Sequence, residues 1–101
     1  MAVMAIYRSD RISPEAYAAF RARVPLSPAP TGALIHLYGH RDGELCVVEA
    51  WEDRDQLNRF LADTVAPAME AAGLEPATPE IFEMETAAFA PPARRFASEL
   101  A

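Results

Sequence analysis

Both histidines, the single cysteine and the single tryptophan lie between residues 32 and 51. Within this stretch, two apolar segments flank Asp42-Gly43, the preferred dipeptide for the central positions of a type I′ hairpin turn. The stretch therefore predicts two antiparallel strands joined by a tight turn. Any chemistry of this chain is expected on that hairpin.

A two-residue turn would place His36 directly opposite Glu49. The same register makes two further pairs: Tyr38 with Val47, and Leu34 with Trp51. Because side chains alternate, one face would carry Leu34, His36, Tyr38, His40, Leu45, Val47, Glu49 and Trp51. The opposite face would be small and apolar, with Ala33, Ile35, Leu37, Gly39, Cys46, Val48 and Ala50. The alternative is a three-residue turn with Gly43 in a bulge, which would separate His36 from Glu49.

The mixed face suggests acid–base chemistry. A carboxylate opposite a histidine can fix the ring tautomer and raise its basicity, so His36 and Glu49 are the candidate catalytic pair. Tyr38 and Trp51 beside them would suit a flat organic molecule. The competing interpretation is structural: a cross-strand His–Glu pair and a strand-end tryptophan in the core are both common.

Other chemistries find less support. His36 and His40 would lie about 13 Å apart on one strand, too far to share a metal ion. A Gly-x-Ser-x-Gly nucleophile elbow and a glycine-rich phosphate loop are both missing from the sequence. We therefore expect neither a metal nor another cofactor.

Composition narrows the class further. A chain of 101 residues with 51% hydrophobic residues suits one domain, and a net charge of −6 argues against nucleic acid and anionic membranes as partners. One cysteine excludes an internal disulfide, and no apolar run is long enough to span a membrane. A cytoplasmic location is the simplest expectation.

Periodicity predicts the elements around the hairpin. Residues 2–8 suit a first strand, and Ser13-Pro14-Glu15 is typical of a helix start. Tyr17, Phe20 and Val24 then share one helical face. Residues 25–31 contain three prolines and predict a stiff loop.

The second half of the chain also contains signals for the start and the end of a helix. Asp53, with Gln56 three residues later, predicts the start of a second helix. Its apolar residues, among them Phe60, keep helical spacing, while Pro67 predicts a kink or break near residues 64–66. Gly73 should close the helix in a left-handed conformation.

A fourth strand is expected after Pro79, from the alternation that begins at Glu80. Residues 1–89 would form the domain and residues 90–101 a tail, either frayed or lying across a partner. The order βαββαβ predicts an α+β, ferredoxin-like fold: a four-stranded antiparallel sheet with two helices on one face. The other face would be apolar and uncovered, which calls for a partner.

Several segments together resemble a known family. They are residues 32–36, the run Cys46-Val-Val-Glu-Ala-Trp51-Glu52-Asp53, Phe60-Leu61, residues 65–67 and residues 71–74. Across residues 3–89 the chain resembles small antibiotic-biosynthesis-monooxygenase-like proteins of the dimeric α+β barrel superfamily. The resemblance implies a homodimer in which two sheets face each other, with Ile35, Leu37, Cys46 and Val48 in the barrel.

The resemblance also implies a pocket between the sheet and the helices of each subunit. Its predicted substrate-binding residues are Tyr38, Trp51, Val47, Tyr17, Phe20 and Phe60. The implied activity is that of a cofactor-independent monooxygenase or a polyketide cyclase or isomerase, acting on an aromatic or polyketide-like molecule. Haem degradation is not expected, since both histidines precede Trp51. The alternatives are a dimer that binds a small molecule without catalysis and a purely structural dimerisation module.

Overall fold

The computed structural model describes residues 1–25 and 27–99. Its strands are β1 (Val3–Ser9), β2 (Ala33–Arg41), β3 (Glu44–Trp51) and β4 (Glu80–Glu83). Its helices are α1 (Pro14–Arg23), α2 (Arg54–Phe60), a π-helical segment (Leu61–Val65), α3 (Ala66–Ala71) and a C-terminal 3₁₀ helix (Pro91–Glu99). Leu26 of the predicted proline loop, and Leu100 and Ala101 of the predicted tail, lie outside the described residues.

The strands form one antiparallel sheet in the order β2-β3-β1-β4. Helices α1, α2 and α3 pack on one face of this sheet. The predicted ferredoxin-like βαββαβ fold is therefore confirmed. Among the described residues, no helix has the length and apolar character needed to cross a lipid bilayer.

The hairpin turn contains two residues, as predicted. Asp42 and Gly43 have φ angles of 49° and 84°, the positive values that a type I′ turn requires. Arg41 therefore pairs with Glu44, and the register carries His36 opposite Glu49.

One detail of the predicted register is wrong. The pairing shifts between Ala33 and Ile35, so Ala33 instead of Leu34 lies opposite Trp51. The extra residue, Leu34, is 42% exposed, whereas Ala33 packs against the cluster around Trp51. A bulge of this kind lets the strand bend at its end and exchanges which residue faces the core.

The predicted helix ends are confirmed. The Ser13 hydroxyl accepts a hydrogen bond from the Ala16 amide at 3.1 Å, and the Asp53 carboxylate accepts one from the Gln56 amide at 2.8 Å. At the end of α3, Gly73 has a φ of 71°, which satisfies the last carbonyls of the helix in a left-handed cap.

The expected break at Pro67 takes a milder form. The chain stays helical from Arg54 to Ala71, and one π-helical turn ends at Val65, two residues before the proline. There the Ala66 amide donates to the carbonyl of Leu61, five residues earlier. A widened turn of this type absorbs an irregular hydrogen-bonding pattern without ending the helix.

Two buried clusters fill the space between sheet and helices. One contains Val3, Ala5, Trp51 and Leu57, and the second contains Ile12, Tyr17, Phe20, Val24, Leu45, Val47 and Met69. The other face of the sheet, here called the open face, carries Met4, Ile6, Ile35, Leu37, Cys46, Val48 and Phe82. Leu37 is 61% exposed and Phe82 is 47% exposed, so the described residues leave this apolar surface uncovered.

Candidate functional site

A chain of hydrogen bonds connects β2 and β3 on the helix-facing side of the sheet. The Nδ1 atom of His36 lies 3.1 Å from Oε2 of Glu49, and the indole nitrogen of Trp51 donates to Oε1 of Glu49 at 3.2 Å. The His36 and Glu49 side chains are only 10% and 12% exposed. Hairpin register and strand alternation bring these three residues together, because all three point to one face.

The neighbours of His36 define its tautomer. Its Nε2 atom lies 3.4 Å from Nη1 of Arg21, a long hydrogen bond in which the guanidinium can only donate. Nε2 must then be the accepting nitrogen, and Nδ1 carries the proton that Glu49 accepts. His36 thus presents an unprotonated nitrogen on the side away from Glu49, as a general base requires.

A cavity of about 220 Å³ adjoins this pair, between the sheet and the helices. Its walls are mainly apolar. They come from β1, α1, the β2–β3 hairpin, the helical stretch from α2 to α3 and the loop before β4. The lining residues are Tyr7, Ile12, Tyr17, Phe20, Arg21, Val24, His36, Leu45, Val47, Glu49, Phe60, Leu61, Val65, Ala66, Met69, Pro76, Ala77, Thr78 and Pro79.

Six of the predicted site residues line this cavity: His36, Glu49, Val47, Tyr17, Phe20 and Phe60. Tyr38 and Trp51 do not. The Tyr38 side chain is 49% exposed and contacts the ring of Tyr17, at a centroid distance of 4.7 Å. Trp51 is 2% exposed, lies against Phe60 and reaches the site only through its hydrogen bond to Glu49.

Tyr7 of β1 belongs to the cavity wall but was not among the predicted residues. It pairs with Val47 in the sheet, which places it on the same face. Its hydroxyl is buried near Glu49, and burial, followed by the negative charge of that carboxylate, raises the pKa of this group. Alternation along β1 from the buried Val3 and Ala5 is the sequence signal that could have identified it.

Arg21 was also missed. It follows Tyr17 by one helical turn, so the two side chains share a face of α1 and both line the cavity. The loop formed by residues 76–79 was not among the predicted site residues, yet it lines one side of the cavity. No local pattern in these loop residues indicates a contact with the distant strands.

Burial also affects Tyr17. It raises the pKa of this hydroxyl to about 12, although the nearby Arg21 guanidinium acts in the opposite direction. Tyr17 therefore stays un-ionised near neutral pH and can donate a hydrogen bond into the cavity. The raised pKa of Tyr7 has the same consequence.

The second histidine lies elsewhere. His40 has its Nε2 atom 3.1 Å from the carbonyl oxygen of Ile12, where it joins β2 to the loop before α1. Because a carbonyl only accepts, Nε2 of His40 must be the donor. Within residues 1–25 and 27–99, no group of three or more His, Cys, Asp or Glu side chains is arranged to bind a metal ion.

These features define an α+β protein with a mainly apolar cavity lined by a His–Glu pair, and solved structures share its fold. One is SnoaB, a cofactor-independent oxygenase from Streptomyces nogalater, with a TM-score of 0.65 and 19% identity over 85% of this chain and 95% of SnoaB. Another is Rv0793 from Mycobacterium tuberculosis, with a TM-score of 0.63 and 20% identity over 88% of this chain and all of that one.

A third comes from Chloroflexus aurantiacus and is provisionally named an antibiotic biosynthesis monooxygenase. Its TM-score is 0.65, with 15% identity over 88% of this chain and 98% of that chain. The present chain therefore has the antibiotic-biosynthesis-monooxygenase-like fold, as the sequence resemblance predicted. No family model matches the sequence, and neither does any curated protein.

Proposed function

We propose that this protein is a small cofactor-independent enzyme of secondary metabolism that acts on an aromatic or polyketide-like molecule, as a monooxygenase or as a cyclase or isomerase. The observation that carries the proposal is the His36–Glu49 pair in the wall of an otherwise mainly apolar cavity. The fold shared with a cofactor-independent oxygenase agrees with it.

The site would work by proton abstraction. His36 takes a proton from the substrate at Nε2, while Glu49 holds the ring through Nδ1 and stabilises the imidazolium that forms. Trp51 keeps the carboxylate in place through its N–H group. The anion left on the substrate is the electron-rich species from which oxygenation, cyclisation or isomerisation begins.

Cavity size limits the substrate. A cavity of about 220 Å³ exceeds the roughly 150 Å³ of an apolar cavity that binds benzene, but it is smaller than the usual site for a drug-sized ligand. One ring or two fused rings would fill it. A larger polyketide would have to leave part of its skeleton outside or displace the loop of residues 76–79.

The test compares the two histidines. Phenolic and polyketide-like compounds are incubated with the wild type, His36→Ala and His40→Gln, and products and oxygen uptake are followed. We expect His36→Ala to lose about 10²–10⁴-fold in turnover, the usual contribution of a positioned base, and His40→Gln to retain it. Full turnover by His36→Ala would contradict the mechanism.

The alternative function is binding without catalysis in a dimeric barrel. The cavity supports it as well, because a hydrogen-bonded His–Glu pair can be purely structural. In that case compounds bind to the wild type and to His36→Ala with similar affinity, and neither protein yields a product.

We further propose that the protein is a homodimer whose sheets meet through their open faces. The exposed Leu37 and Phe82 within this apolar surface support that arrangement. Leu37→Asp should shift the protein to monomers in analytical ultracentrifugation, because an unpaired charge at a buried interface is costly. Ala18→Asp, on the exposed side of α1, should leave the dimer intact. A monomeric wild type would refute the arrangement.

A cytoplasmic location and the assignment of residues 90–101 to a separate tail stay predictions. The tail's described part forms the 3₁₀ helix Pro91–Glu99.

A further inference from the structure

Among the described residues that line the cavity, Arg21 is the one permanently cationic side chain, and it lies at the nitrogen where His36 would accept a proton. Nη1 of Arg21 lies 3.4 Å from Nε2 of His36, and the guanidinium carbon lies 5.0 Å from the centre of the Tyr38 ring. The His36 imidazole and the Tyr38 ring thus both contact the guanidinium. A guanidinium on α1 is therefore aimed at the accepting nitrogen of the candidate base.

The described residues provide no direct counterion for the charge of Arg21. Among the described residues, Arg8 and Arg11 make ion pairs, with Glu44 and Glu75, whereas Arg21 makes none. Its Nε atom is buried and has no hydrogen-bond partner. Glu49 binds the far side of the imidazole, so the His36 ring separates that carboxylate from Arg21.

A partly buried cation in an apolar wall is unfavourable unless an anion or several acceptors satisfy it. The Nε2 lone pair of His36 supplies one long contact, and the nearby Tyr17 hydroxyl supplies an acceptor that carries no charge. A ligand oxygen that lies beside both atoms, within hydrogen-bond distance of Nε2 and of the guanidinium, would give Arg21 a charged partner, and a charge-assisted hydrogen bond is about twice as strong as a neutral one.

We propose that Arg21 binds the oxyanion of the ligand beside His36, and that it thereby selects acidic aromatic molecules over neutral ones of the same shape. This inference rests on the proposed function and adds the residue that stabilises the anion. The ligand's O–H bond breaks, the proton passes to Nε2 of His36, and the electron pair stays on the oxygen facing Arg21.

The protonation state of Tyr7 and Tyr17 is compatible with an oxyanion in the cavity. Both are un-ionised near neutral pH and lie in the cavity wall, so neither adds a negative charge that would repel an oxyanion. The rest of the wall is chiefly apolar, which strengthens the attraction between Arg21 and an anion, because little water competes for either group.

The experiment uses two probes of similar shape. Para-nitrophenol ionises to a yellow phenolate, whereas para-nitroanisole has no proton to lose. Binding of both is measured by titration with wild type, Arg21→Met, Arg21→Lys and Arg23→Met, and the yellow absorbance reports the fraction of bound phenol that is ionised. Arg23→Met is the matched control, since Arg23 is exposed at the end of α1.

We expect the wild type and Arg23→Met to bind the phenolate about tenfold more tightly than the neutral phenol, the effect of one charge-assisted contact. Arg21→Met should lose this preference and keep its affinity for para-nitroanisole, and Arg21→Lys should retain part of it. Loss of para-nitroanisole binding in Arg21→Met as well would show that Arg21 shapes the cavity and does not select charge, which overturns the inference.

The outcomes separate this inference from the function on which it rests. If the wild type binds para-nitroanisole but shows no preference for the phenolate, Arg21 does not select an oxyanion. The proposed proton abstraction by His36 is not affected by that result. If the wild type binds neither probe, the cavity is not an aromatic site, and both proposals fail together.

Discussion

Replacing Glu49 with glutamine tests the central hydrogen-bonded chain most directly. The glutamate accepts from two donors, Nδ1–H of His36 at 3.1 Å and the indole N–H of Trp51 at 3.2 Å. Glutamine has nearly the same shape, but only one of its two terminal atoms accepts hydrogen bonds. In Glu49→Gln, the amide NH₂ group must therefore face one of the two donors.

Either orientation leaves a conflict. If the amide oxygen faces His36, the Trp51 N–H loses its acceptor. If the NH₂ group faces His36, the ring must move its proton to Nε2, which then confronts the donating Nη1 of Arg21. Both partners of the pair are about nine-tenths buried, so water does not replace the lost acceptor.

The expected magnitude follows from that loss. A buried donor without an acceptor costs about 1–3 kcal/mol, so we take about 2 kcal/mol for Glu49→Gln. For a domain of this size, this corresponds to a melting temperature lower by about 8–16 °C. Glu44→Gln is the matched control, because the Glu44–Arg8 pair is solvent-exposed and such pairs contribute little to stability.

Thermal unfolding is measured by circular dichroism at one fixed protein concentration, since an oligomer would make the midpoint concentration-dependent. Nitrogen-15 NMR of the His36 ring reports the tautomer in the wild type and in Glu49→Gln. If both variants unfold at the same temperature and the wild-type ring carries its proton on Nε2, the hydrogen-bonded chain described above is refuted.

Two further predictions concern a glycine and a tyrosine. Gly32→Ala should destabilise the protein by more than Gly73→Ala in urea unfolding. Both glycines have positive φ, which costs alanine about 1–2 kcal/mol, but only at Gly32 would the new Cβ overlap the Gln56 side chain, whose own Cβ would lie 2.9 Å away. Equal losses would refute the steric argument, and Gln56→Ala should restore part of the stability of Gly32→Ala. Because the pKa of Tyr17 is raised from 10.0 to about 12, the unfolded chain loses this proton first, so its contribution to stability is complete below pH 10 and declines as the pH rises toward 12. Tyr17→Phe should flatten that decline in alkaline unfolding curves, and an unchanged decline would contradict the assignment.

The elements of this protein follow from local signals that the sequence contains. Asp42-Gly43 determines the turn and hence the pairing of His36 with Glu49, since this dipeptide tolerates the two positive φ angles of a type I′ turn. Ser13, Asp53 and Gly73 define helix ends through their own hydrogen bonds and backbone angles. Each of these effects acts over a few residues, which is why the sequence alone predicts it.

The composition of the site was decided by tertiary contacts. Tyr7 and Arg21 reach His36 and Glu49 only after β1 pairs with β3 and α1 packs over the sheet. The bulge at Leu34 also depends on packing, because only the filled core determines whether Ala33 or Leu34 faces Trp51.

For Trp51, too, the sequence predicts one part of its role and the tertiary structure determines the other. Its type and position at the end of β3 were evident from the sequence, and alternation correctly placed it on the face of Glu49. Only the packed structure shows that Phe60 and the helices cover the indole, leaving its N–H to support Glu49 from behind the cavity wall. Sequence periodicity specifies the face on which a side chain lies, but the depth at which it is buried depends on what the rest of the chain places over it.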